Sequence, residues 1–252
     1  MLHAWPVLGL LLGALLLAGD APAATPASAS GCGPVAHEGA RYTVCRINLR
    51  THALRLFLTD AAGQPYGSLA NLLRSPDGAR LAVAMNAGMY HHDLMPVGLY
   101  VEGGRELKPL NRNAGPGNFH LKPNGVFFVG QDGKAGVLES GAYAKRRAKV
   151  ALATQSGPML VIDGKLHPRF SDEGPSRKLR NGVGVATNGE VLFAISDEPV
   201  SFGSFARLFR DELGCRNALF LDGSVSALFA RDLDRTDFSF RPLGPIIGAV
   251  RR

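Results

Sequence analysis

Six clusters of polar residues stand at the ends of apolar runs, where a chain can carry chemistry. Residues 81–85 stop at Asn86-Ala87-Gly88-Met89-Tyr90, and Phe119-His120-Leu121-Lys122-Pro123-Asn124-Gly125 leads into Val126-Phe127-Phe128. Thr154-Gln155-Ser156-Gly157-Pro158 precedes Met159-Leu160-Val161-Ile162. Arg180-Asn181 opens the run at 182–186, Ser196-Asp197-Glu198 closes the run at 191–195, and Leu219-Phe220-Leu221 ends at Asp222-Gly223-Ser224. Acids, amides and cations at strand ends, beside Gly that lets a ligand approach the backbone, are how a sheet builds a site. Any one of these clusters is an ordinary polar turn; six together predict a shared cleft. Asn86, Asn124, Ser156, Arg180, Asp197 and Asp222 are expected to line it.

Common catalytic signatures are absent. There is no G-x-S-x-G elbow, no H-E-x-x-H, no phosphate-binding G-x-x-x-x-G-K-[ST] and no G-x-G-x-x-G after a strand. His91-His92-Asp93 does not read as a metal site, because neighbouring side chains on an extended chain point to opposite faces. The balance of 28 Lys and Arg against 21 Asp and Glu gives a net charge of +7. These cations are scattered apart from Lys145-Arg146-Arg147, with no aromatic interleaving, so nucleic acid is not an expected partner. The positive field favours an anionic substrate such as a phosphorylated glycan.

Strands joined by tight turns must position these clusters. Glu102-Gly103-Gly104, Asp132-Gly133, Asp163-Gly164 and Asn188-Gly189 each supply the positive-φ residues of hairpin turns. Their flanks read as strands at 97–101, 126–129, 159–162, 182–186 and 191–195. Residues 41–49 and 54–58 read as a further pair with Thr51-His52 in the bend. Ser201 caps the clearest helix, with Phe202, Phe205, Leu208, Phe209 and Leu213 on one buried face. Residues 68–74 and 141–149 suggest two shorter helices. The 31 glycines in 252 residues fit a turn-rich chain and not a helical bundle. The expected class is α+β, a single domain of mostly antiparallel or mixed β-sheet with a few helices.

The N-terminus reads as a leader. Residues 7–18 are almost all Leu, Ala and Gly, followed by small-residue stretches suited to cleavage. The expected organisation is a signal peptide over residues 1–24, a flexible linker over 25–40 and the folded domain over 41–252. Export to the periplasm or medium permits disulfides. Three cysteines allow one pair and one spare; Cys32 with Cys45 is the expected pair and Cys215 a small buried hydrophobe.

Read in order, Asn86-Ala87-Gly88-Met89-Tyr90, Asn124-Gly125-Val126-Phe127-Phe128, Gln155-Ser156-Gly157-Pro158-Met159-Leu160, Arg180-Asn181-Gly182-Val183-Gly184 and Leu221-Asp222-Gly223-Ser224 resemble the phosphodiester glycosidase family. The likeness spans roughly residues 41–250 and is nearest to bacterial exported members linked to exopolysaccharide. It implies hydrolysis of the anomeric C–O bond of a sugar 1-phosphodiester of N-acetylhexosamine type. Glycoside hydrolysis uses two carboxyl groups, here Asp197 and Asp222 with Glu198 in reserve. Arg180 suits the phosphate, with Lys122 and His120 as weaker contributors. Asn86, Asn124 and Ser156 would meet sugar hydroxyls, Tyr90 would offer a ring face, and Gly157, Gly223 and Ser224 would line the pocket. No cofactor is called for, though Asp222 and a phosphate oxygen could share a divalent cation. The family more often carries Asp-Gly-Gly and Asn-Gly-Gly-Phe-Phe where this chain has Asp222-Gly223-Ser224 and Asn86-Ala87-Gly88-Met89-Tyr90, which implies a differently shaped pocket. Two other readings stand beside it: a glycan-binding module that uses the same asparagines, tyrosine and arginine, and a phosphodiesterase that breaks P–O, which would favour two-metal clusters rich in His and Asp that are not evident.

Overall fold

The computed structural model describes residues 1–3, 31–146, 149–171 and 174–252. The signal-peptide expectation and the linker up to residue 30 therefore lie almost wholly outside the described residues.

Alternating apolar residues and Gly-containing turns produce seventeen strands among the described residues. The first six are β1 (Gly31–His37), β2 (Ala40–Ile47), β3 (His52–Phe57), β4 (Leu81–Asn86), β5 (Tyr100–Glu102) and β6 (Arg105–Lys108). The middle of the chain gives β7 (Gly125–Gly130), β8 (Ala135–Glu139), β9 (Val150–Ser156), β10 (Met159–Ile162) and β11 (Lys165–Leu166). Then follow β12 (Asn181–Ala186), β13 (Val191–Ser196), β14 (Cys215–Phe220), β15 (Leu228–Ala230), β16 (Arg235–Thr236) and β17 (Ile246–Arg251). Three short helices, α1 (Leu69–Arg74), α2 (Ser140–Ala144) and α3 (Phe202–Arg207), interrupt them. Ser68 and Ser201 cap α1 and α3 by accepting from the backbone N–H groups of Asn71 and Ser204.

The strands form three antiparallel sheets. Seven lie in the order β1-β2-β13-β12-β14-β10-β11, five in the order β16-β15-β4-β17-β3, and five in the order β6-β5-β9-β7-β8. Side-chain alternation gives each sheet two apolar faces. Ile47, Met85, Phe127, Phe193, Leu219 and Ile247 point into one core shared by all three sheets. The opposite faces carry their own layers: Tyr42, Leu192 and Phe220 meet α3, Leu81 and Ile246 meet α1, and Val126 and Phe128 meet Tyr143 of α2. This is the expected α+β domain.

All four predicted hairpin turns are present, joining β5–β6, β7–β8, β10–β11 and β12–β13. Two expectations are corrected. The 41–49 and 54–58 strands exist but do not pair, since β2 lies between β1 and β13 while β3 pairs with β17 in another sheet. Their connection, Asn48-Leu49-Arg50-Thr51, has no Gly to fold the chain straight back. Residues 31–40 are not linker: β1 pairs residue for residue with β2, across a turn at Glu38-Gly39 with positive φ at both positions. Pro34 is tolerated there because β1 is an edge strand. Cys32 and Cys45 are directly opposed in this hairpin and are disulfide-bonded, and Cys215 is free and buried.

Candidate functional site

Antiparallel pairing brings several predicted clusters to one end of the seven-stranded sheet. Asn181 pairs with Ile195 and Gly182 with Phe220, so the start of β12 and the ends of β13 and β14 coincide. Arg180, Ser196-Asp197 and Leu221-Asp222 thus emerge at the same edge. The end of β4 is tied to that edge by two buried amides. Asn86 Oδ1 accepts from Asn181 Nδ2 at 3.0 Å and from Ala227 N at 3.0 Å, and Asn86 Nδ2 donates to Asp222 O at 2.7 Å. Asn181 Oδ1 accepts from Ser226 Oγ at 3.2 Å. The pair clamps two sheets together beneath the 222–227 segment.

Above this clamp lies a cleft of about 670 Å³, walled by Lys178, Arg180, Gly223, Ser224, Phe238 and Arg241 among others. Its lining carries three cations and no carboxylate. Arg180 is 2% exposed. Its guanidinium lies 3.5 Å from the ring centre of Phe202 and 5.6 Å from that of Phe220. Nε donates to Val200 O at 2.9 Å and Nη2 to Ser176 O at 2.7 Å, leaving Nη1 without a protein partner among the described residues. Burial pulls this group down to about 10, so it stays charged at neutral pH. An immobilised, partly desolvated guanidinium with one free nitrogen is suited to a phosphate oxygen.

Asp222 caps the turn Gly223–Val225 that walls the cleft. Its Oδ1 accepts from Ser224 N at 3.0 Å, and Oδ2 has no partner among the described residues. Asp197 lies in an adjoining depression of about 370 Å³ that shares Leu179, Ser226 and Phe238 with the cleft. It is engaged there: Arg235 Nη1 donates to Oδ1 at 2.9 Å and Thr43 Oγ1 donates to it at 3.1 Å. Arg235 also grips Asp237 with two further bonds of 2.9 Å.

Several predicted contacts serve the scaffold instead. Asn86 and Asn124 are buried with their amides engaged, Asn124 Nδ2 donating to Phe119 O and Oδ1 accepting from Ser140 Oγ, so neither amide is free for a sugar. Glu198 is removed from the cleft, its Oε1 accepting from Arg41 N at 2.8 Å. Tyr90 is near Asp222 but does not line the cleft; its ring packs against Gly244 and its hydroxyl donates to Pro242 O at 2.6 Å. Burial, reinforced by the Asp222 carboxylate, pushes that phenol up to about 12. Lys122 Nζ donates to Arg112 O and His120 Nδ1 lies 3.1 Å from Asn113 O, so both pin the loop that carries Asn118 to the cleft. Ser156 is fully buried with an unpartnered hydroxyl. A Cβ on Gly157 would come within 2.7 Å of Asn124 Cβ, so this Gly permits close packing and not ligand approach. Gly223 and Ser224 do line the cleft.

Sequence reading missed Lys178, Leu179, Ser226, Phe238, Phe240 and Arg241, all of which line the cleft. The one available signal was Phe238-Ser239-Phe240, aromatics within a polar stretch where no core strand was expected. A separate cavity of about 270 Å³ beside Cys32–Cys45 contains none of the proposed catalytic or substrate-binding residues.

Residues 79–250 match the phosphodiester glycosidase family. The uncharacterized protein YigE of Escherichia coli (strain K12) is 34% identical over 186 residues, covering 73% of this chain and 72% of that protein. The catalytic domain of zebrafish N-acetylglucosamine-1-phosphodiester alpha-N-acetylglucosaminidase, auto-inhibited by its pro-peptide, superposes with a TM-score of 0.60 at 15% identity, over 88% of this chain and 82% of that one. A candidate exported protein from Burkholderia pseudomallei gives 0.56 at 13% identity, over 84% and 74%. These two likenesses are of fold.

Proposed function

The chain belongs to the phosphodiester glycosidase family, and from that premise we propose that it is an exported hydrolase of a sugar 1-phosphodiester, of N-acetylhexosamine type, in a cell-envelope glycan or related metabolite. The observation that carries this reading is the acid-free cationic cleft, with the free Nη1 of Arg180 beside the Asp222 turn. Overall, the bond from the anomeric carbon to the bridging oxygen breaks and a water oxygen ends on that carbon. The electron pair leaves with the phosphate, and the water's protons end on the sugar hydroxyl and in solution. The departing phosphomonoester has a second pKa near 6. Its departure therefore depends more on charge stabilisation than on protonation, the role of Arg180 supported by Lys178 and Arg241.

We assign to Asp222, which caps the turn walling the cleft and whose Oδ2 is unpartnered among the described residues, the role of base or nucleophile at the anomeric centre. Asp197, held by Arg235 and Thr43, contributes through the field at the cleft margin. Export is supported by the apolar leader in the sequence and by the disulfide, and no helix among the described residues is long and apolar enough to cross a membrane.

The test is to hydrolyse an N-acetylhexosamine 1-phosphodiester in water labelled with oxygen-18. Label on the sugar is expected. Label on the phosphate would assign the protein to P–O cleavage, and binding without turnover would make it a glycan-binding module.

A further inference from the structure

Two phenylalanines at the cleft mouth have no structural reason to be exposed. Phe238 is 79% and Phe240 96% exposed, against a core that buries nearly every other aromatic ring. Their rings stand edge to face at 5.2 Å, and both line the cleft with Leu179, itself 43% exposed. The segment bearing them is braced. Asp237 accepts from Leu228 N at 3.0 Å and holds Arg235 by two bonds, while Ser239 Oγ donates to Arg241 O at 2.7 Å. Exposed apolar surface on a held turn, contiguous with a charged cleft, marks a ligand site. The cations Lys178, Arg180 and Arg241 share this cleft.

We propose that Phe238, Phe240 and Leu179 bind an apolar alcohol esterified to the phosphate, so that the substrate is a sugar 1-phosphodiester of a long-chain or isoprenoid alcohol. This rests on the hydrolase reading above. The charge pattern selects that occupant: a phosphodiester places one anion between a polar ring and its alcohol, and the cleft places three cations beside the apolar side chains of Phe238, Phe240 and Leu179. Phenyl rings with no hydroxyl or indole N–H offer an alkyl chain contact area and offer a second sugar no hydrogen bond. On hydrolysis the C1–O bond breaks, water supplies the new sugar hydroxyl, and the alcohol leaves as its phosphate monoester.

The experiment uses the mature protein and N-acetylhexosamine 1-phosphodiesters of methanol, butanol and octanol, each below its aggregation concentration. A fully buried methylene is worth about fourfold, so an octyl chain that lays the equivalent of two methylenes on the rings should raise kcat/KM ~10-fold or more over methyl. In the Phe238→Ser/Phe240→Ser double variant that ratio should fall towards one while the thermal midpoint holds. In parallel, calorimetry with methyl and octyl phosphate should show the octyl compound binding more tightly, and only when the rings are present. Hydrolysis with a flat chain-length profile overturns the apolar site and leaves the reaction standing. Absence of any hydrolysis overturns the reaction, and the alkyl phosphates then decide the site alone. A flat profile joined to ring-dependent pelleting with phosphatidylglycerol vesicles, or to ring-dependent dimers in sedimentation, would reassign the rings to a membrane surface or a second copy.

Discussion

Arg180 illustrates how little of a residue's role is written in its type. Its guanidinium is sandwiched against Phe202 and anchored by Val200 O and Ser176 O, so its direction is set before any ligand arrives. Arg180→Lys would keep the charge and lose the fixed fork, and kcat/KM should fall about 10- to 100-fold, the worth of a charge-assisted hydrogen bond. Asp222→Asn should lower kcat further, because it removes the carboxylate proposed to act on the anomeric carbon while the cap to Ser224 N can persist. Equal, small losses in both variants would contradict the assigned roles. Cys215 gives a pH prediction. Burial pushes its thiol up to about 12, so the native protein should resist iodoacetamide at pH 8.5 and react once unfolded. The raised value favours the folded state only while the thiol keeps its proton. That stability is complete below about pH 9 and is lost as pH rises towards 12, by up to about 1.4 kcal/mol per pH unit. Urea midpoints across pH 8 to 10.5 should fall less in Cys215→Ala than in the wild type, after correction for their offset. Arg180, Gly223 and Ser224 were expected in one cleft and do line one, and Asp222 caps the turn that walls it. Asn86 and Asn124 were legible as important and misread in role, since sequence does not show that neighbouring backbone has claimed an amide.

Hairpins were the most legible elements, because a short turn that needs a positive-φ glycine is a local property, and each of the four Gly-containing turns holds one. Pairing between distant strands was not legible: the same β2 pattern suits any neighbour, and β3 found its partner two hundred residues away in β17. The β1 strand was hidden by its composition, Gly, Pro and Ala, which resembles linker until the facing cysteine of β2 is considered. Its bridge closes a short loop, so reduction should lower unfolding stability by about 3 kcal/mol and raise amide exchange across Gly31–His37. Unchanged exchange after reduction would show that the ladder alone holds this edge. Between sheets, the Asn86–Asn181 clamp joins β4 to β12. Asn86→Ala would strand Ala227 N, while Asn181 Nδ2 keeps its bond to Asn86 O and Asp222 O keeps its bond from Val225 N, at a cost of about 1–3 kcal/mol. Denaturant unfolding measures that cost, and activity should drop alongside it because Asp222 loses one of the bonds that hold its backbone.

At the scale of the molecule, three sheets share one core and send the ends of β4, β12, β13 and β14 to a common rim. The class of fold followed from apolar alternation and the spacing of turns. The closure of three sheets around one centre did not, because it depends on which faces meet. That closure has a consequence in time. Residues 246–251 form the strand between β3 and β4, which begin about 195 and about 165 residues earlier. As the chain is synthesised, the two early strands must wait with their facing edges open until residues 246–251 arrive to fill the gap. A polypeptide built this way cannot lock into its final shape before that strand is made. Were the protein exported as proposed above, the late keystone would keep the thread loose during passage.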